Sequence, residues 1–148
     1  MKYDYYNKIE IAPDFETYDF VSDGAKGIIH KRIFFELIQE PAIYNLAFGD
    51  LTDNGEIDDY SISDNKDMTK ILATIAAAIG LFLEKYPERK VFFRGSTAER
   101  TRLYRMAISI NLEELSGRYN INGVLPDGGY VNFQKNLFYE GFVISKKS

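Results

Sequence analysis

The chain has 148 residues, 45% hydrophobic and 27% charged, with a formal net charge of −4. That length suits one domain with a real core, and the acidic balance argues against non-specific nucleic-acid binding, which needs a positive field. Cysteine does not occur, which excludes disulfides, thiolate catalysis and cysteine-held zinc.

The opening MKYDYYNKIE carries no apolar signal core, so a cytoplasmic protein is expected. Its tyrosines, among 11 Tyr and 11 Phe, favour sheet packing or a subunit interface. Residues 17–22 (TYDFVS) read as a strand and DGAK as a turn. Residues 27–38 (GIIHKRIFFELI) are rich in β-branched and aromatic side chains and read as a long strand. Pro41 interrupts, residues 42–51 start another strand, and Asn54-Gly55 signals a hairpin returning through 57–63.

The period then changes. Met68, Ile71, Leu72, Ile75, Ile79, Phe82 and Leu83 recur at three and four, the spacing of one helical face. Asp64 or Asn65 can cap this helix, and Pro87 stops it after Tyr86. Ala76, Ala77, Ala78 and Gly80 widen its small-residue surface, which suits packing on more than one side. Ile71 to Leu83 is too short to span a bilayer, so no membrane partner is expected.

KVFF (90–93) reads as a short apolar strand, Ser96 to Leu115 as a second helix, and Gly117 as its stop. YNINGVLP, a Gly128-Gly129 turn, YVNFQ and a strand over 139–145 complete the chain. The order β-β-β-β-α-β-α-β-β-β predicts one α+β domain over residues 1–148. Its simplest form is a single twisted, mostly antiparallel sheet packed against two helices, in which strand 90–93 can run parallel to a neighbour.

FFRGSTAERTRLYR (92–105) concentrates the candidate functional residues. Ser96-x-x-Glu99 is a capping box, which accounts for those two residues and leaves the arginines to explain. At about 100° per residue, Leu103, Ala107 and Ile110 share an apolar arc flanked by Tyr104, and Arg102 and Arg105 fall on the solvent side. Arg100 falls inside the apolar arc, so its guanidinium must be paired or line a crevice. One reading pairs it with a buried acid such as Glu36 or Asp58. The other builds an anion site from Arg94, Gly95, Ser96, Thr97, Arg100 and Tyr104 around a helix start with its amides and positive dipole end. The Gly-x-x-x-x-Gly-Lys pattern of a nucleotide-binding loop does not occur.

Asp50, Thr52, Asn54, Gly55 and Ile57 match five positions of a calcium-loop pattern, but Ser61 stands where a bidentate Glu belongs, so a hairpin with solvated acids is expected and no metal. His30 shares a strand face with Arg32, Phe34 and Glu36, read as a mixed polar ladder.

FFRGSTAERTRLYRMAI, with YNLAFGD and GEIDDYSISDN upstream and YEGFVISKK at the end, resembles a family of small bacterial proteins of unknown function. That resemblance spans nearly the whole chain and implies single-domain size and bacterial origin but no mechanism. A hairpin, a long helix, a strand and a helix bearing Ala98, Leu103 and Tyr104 also resemble the core of the GNAT acetyltransferases. In that family a glycine-rich loop opening the long helix holds the pyrophosphate of acetyl-CoA. Here SDNKDMTK (63–70) has no glycine, and Asp64 and Asp67 would repel an anion, so no cofactor is expected.

Three functions follow as expectations. The first is a non-catalytic module whose helix start at Gly95–Thr97 receives an anionic small ligand or protein partner. The second is a degenerate acyltransferase-like enzyme with Tyr104 or His30 as acid or base. The third is a regulatory partner that dimerises through exposed aromatic surface.

Overall fold

A computed structural model describes residues 3–58 and 65–147. The strands are β1 (Glu10–Ile11), β2 (Thr17–Gly24), β3 (Gly27–Gln39), β4 (Ile43–Leu51), β5 (Ile57–Asp58), β6 (Lys90–Phe93), β7 (Tyr119–Val124), β8 (Tyr130–Asn132) and β9 (Gly141–Lys146). They form one sheet in the order β1-β2-β3-β4-β6-β9-β7-β8, with β5 paired to β4. The pairings are antiparallel except β4–β6, which is parallel, as a strand between two helices allows. The α+β class and the mostly antiparallel sheet stand as expected. The return strand over 57–63 is described only at Ile57–Asp58, and its remainder lies outside the described residues.

Strand alternation decides which face is covered. Lys31, Ile33 and Phe35 of β3 are buried, whereas His30, Arg32, Phe34 and Glu36 alternate onto the more open face. There Arg32 grips Asp19 across β2 with two contacts of 2.7 and 2.8 Å. The covered face packs on α1 (Met68–Lys85) and α2 (Ala98–Ile110). Phe82 of α1 is fully buried, stacked on Phe35 at 4.1 Å and edge-on to Tyr44 at 5.3 Å. Phe93 of β6 meets Tyr104 of α2 edge-on at 5.4 Å.

Among the described residues there are three helices where the sequence suggests two. The stretch read as one helix over 96–115 breaks at Asn111, whose buried side-chain amide donates to the Ala107 carbonyl at 2.7 Å. The chain turns there, and α3 (Leu112–Arg118) follows. This local bond competes with the helical ladder, the usual effect of Asn inside a helix. Gly117 lies within α3 rather than ending the helix before it.

The first helix also starts later than Asp64 or Asn65 would have it. Asp64 lies outside the described residues, and Asn65 serves the β2–β3 hairpin, donating to the Gly27 carbonyl at 2.9 Å and to Ser22 Oγ at 3.0 Å. Asp67 holds the cap position, yet its carboxylate accepts from the hydroxyls of Tyr6 (2.5 Å) and Ser22. The tyrosine-rich N-terminus is thereby strapped to the body. The Tyr6 amide donates to Thr74 Oγ1 at 2.9 Å, and its ring stacks on Phe20 at 5.5 Å.

Candidate functional site

Where β6 ends, the chain turns sharply into α2. A side chain at Gly95 would stand 2.3 Å from both the Arg100 Cβ and the Thr101 amide, so only glycine lets the turn fold this tightly onto the helix. The Gly95 amide donates to Thr101 Oγ1 at 3.0 Å, fixing the contact. This close approach moves the helix start by one residue. Thr97, extended at φ −132° and ψ 166°, is the N-cap, and its Oγ1 accepts from the Arg100 amide at 3.2 Å. The cap expected at Ser96 is therefore at Thr97, and the Ser96-x-x-Glu99 box does not describe this helix end.

Arg94, Gly95, Ser96 and Thr97 line one cleft of about 430 Å³, closed on its far side by Phe138 and Glu140. Arg100 and Tyr104 do not line it. Both are 2% exposed and face the sheet. The Arg100 guanidinium donates to the Phe48 carbonyl and lies 5.3 Å from the Phe48 ring. The position explains the contact. β4 pairs with β6 at residues 43–45 and with β5 at 50–51, and Phe48 lies between the two pairings. An arginine donor there satisfies a strand carbonyl. Glu36, one suggested partner, is on the opposite sheet face. Near the Phe48 ring lies Lys31, 3% exposed and paired with Asp50, a buried cation that the strand pattern does not reveal.

A second hollow of about 170 Å³ adjoins the cleft and shares Ala98, Thr101 and Phe138 with it. Arg102 and Arg105 line it, over a floor of Tyr139 and Phe142. The helical wheel puts both arginines on the solvent side. The wheel cannot show that a loop some thirty residues later in the chain rises beside them. Consecutive Leu137 and Phe138, unassigned to any strand, are the signal in the sequence.

Phe138 is 67% exposed, and its presentation is fixed from below. Tyr139 beside it is buried, with its ring so close over Gly123 that a Cβ there would stand 2.2 Å from it. The Tyr139 hydroxyl accepts from the Gln134 amide at 3.0 Å, and the Glu140 amide donates to the Val124 carbonyl at 2.8 Å. An anchored loop thus holds an apolar ring in water, an arrangement that packing alone does not require.

The arginines around this groove differ from the other arginines of the molecule. Arg32 is held by Asp19, Arg89 by Glu16 at 3.7 Å, Arg118 by Glu84 at 3.8 Å, and Arg100 by the Phe48 carbonyl. Arg94, Arg102 and Arg105 have no hydrogen-bond or ion-pair partner among the described residues. A further hollow of about 440 Å³ between α1 and α3 differs in this respect. Its Glu84 already accepts from Lys146 at 3.0 Å and from the Tyr119 hydroxyl at 3.2 Å. Lys146 foremost holds the Glu84 carboxyl below its ordinary range, and burial followed by Glu84 pushes the Tyr119 hydroxyl up to about 12.

A family model described as a family of unknown function (DUF6934) matches residues 2–147. No curated protein and no solved structure matches the chain.

Proposed function

The chain belongs to that family of unknown function, and from this premise we propose that it is a binding module that accepts an anionic small molecule in the groove beside the start of α2. One observation carries the reading: Arg94, Arg102 and Arg105, the three arginines without a partner among the described residues, all line this groove. In a chain of net charge −4, with 22 acidic residues to pair with, arginines gathered on one surface without a partner among the described residues are suited to an external anion. Arg94 supplies the charge at the cleft, and the Ser96 and Thr97 end of the helix adds its positive dipole end. The helix end alone would not make a site. The arginines give the reading its substance, and Glu140 opposes it from the far wall.

Titration of inorganic phosphate into the full chain, followed by amide chemical shifts, tests the reading. Shifts should appear at Gly95, Ser96 and Thr97. Arg94→Ala should weaken phosphate by about tenfold, the scale of one charge-assisted hydrogen bond. Glu140→Gln should strengthen it a few-fold by removing a repulsion. Phosphate that binds elsewhere, or binds Arg94→Ala unchanged, defeats the proposal.

A further inference from the structure

The two hollows differ in size and chemistry, and together they specify more than a charge. The cleft at Arg94, Ser96 and Thr97 is polar-walled, and its wall is the helix start. The adjoining hollow of about 170 Å³ has an aromatic floor in Tyr139 and Phe142, with Phe138 as one side. That is the size of space that holds a single benzene-like ring, for which an apolar cavity of about 150 Å³ is enough. Arg102 and Arg105 border it, and a guanidinium plane stacks on a ring face as readily as it meets an anion.

We infer that the ligand is an aromatic ring bearing an anionic group, with the ring seated against Phe138 in the small hollow and the anion at Arg94 in the adjoining cleft. This rests on the binding reading above and names the ligand class for it. The two spaces meet along Ala98, Thr101 and Phe138, so a ligand spanning them is bent around one phenyl ring. The anchoring of residues 139 and 140 matters here. Phe138 is offered by a loop already held at Gly123 and Val124, so little ordering is left for the ligand to impose. Glu140, in the cleft, favours a ligand that also presents a hydrogen-bond donor, as a hydroxyl or ring N–H would.

The test compares two probes, inorganic phosphate and phenyl phosphate, by calorimetric titration against the full chain, Phe138→Ala and Arg94→Ala. Phe138 is mostly exposed, so its truncation should leave the fold intact, as circular dichroism would verify. On the unaltered chain, phenyl phosphate should bind about tenfold more tightly than phosphate, from one stacked ring. Phe138→Ala should erase that advantage to within about twofold, and Arg94→Ala should weaken both probes. Equal affinity for the two probes, or an advantage that survives Phe138→Ala, overturns the inference while phosphate binding keeps the general reading intact. Failure of both probes to bind removes both.

Discussion

Arg100 joins α2 to the sheet by donating to the Phe48 carbonyl, and its removal separates structural from ligand roles. Arg100→Ala leaves the Phe48 carbonyl without that donor at a position 2% exposed, a loss of about 1–3 kcal/mol in unfolding free energy. Urea denaturation should show a lower midpoint with little change in slope. Phosphate affinity of the folded variant should stay within about twofold, because this guanidinium lines neither hollow. Loss of phosphate binding at unchanged stability would instead make Arg100 a ligand group. The inward turn of this arginine was legible from its place on the helical arc. The Phe48 carbonyl among its acceptors was not, because a main-chain carbonyl leaves no mark in the residue alphabet.

Strand β6 and helix α2 meet in a turn whose geometry is set by packing rather than by the capping signature. Ser96 and Glu99 spell a box, but the contact of Gly95 with the first helical turn leaves Thr97 as the residue in extended conformation with its hydroxyl on the Arg100 amide. Thr97→Ala should therefore cost about 1 kcal/mol, and Ser96→Ala no more than about 0.5 kcal/mol. Paired thermal unfolding curves would show it, and a larger loss at Ser96 would return the cap to the box. Periodicity located both long helices because burial on one face repeats every three to four residues. It missed the break at Asn111, where one side-chain bond to Ala107 outweighs continuation of the ladder.

Across the whole molecule, tyrosines tie distant segments together and make stability sensitive to alkali. Burial, and then the Glu84 carboxylate, raise the Tyr119 hydroxyl from an ordinary value of 10.0 to about 12, and burial raises Tyr18 as well. The fold thus favours the neutral phenols. Their contribution is fully present below pH 10, and between pH 10 and 12 it is lost as the unfolded chain ionises first. Unfolding free energy should fall with pH across that window, and Tyr119→Phe should flatten the fall. An identical slope in the variant would assign the alkaline loss to other groups. At this scale α1 presents the fully buried Phe82 to Phe35 and Tyr44, so the aromatic content seen in the composition becomes the centre of the core.

The sequence by itself determined the α+β class, most strand and helix positions, and the inward Arg100, because period, turn chemistry and the burial of a charge are local constraints. Tertiary structure alone decided the sheet order, the parallel β4–β6 pair and the gathering of Arg94, Arg102 and Arg105 around Phe138. These depend on residues far apart in the chain meeting at one surface, and on a loop held out by contacts beneath it, neither of which any short window of sequence contains.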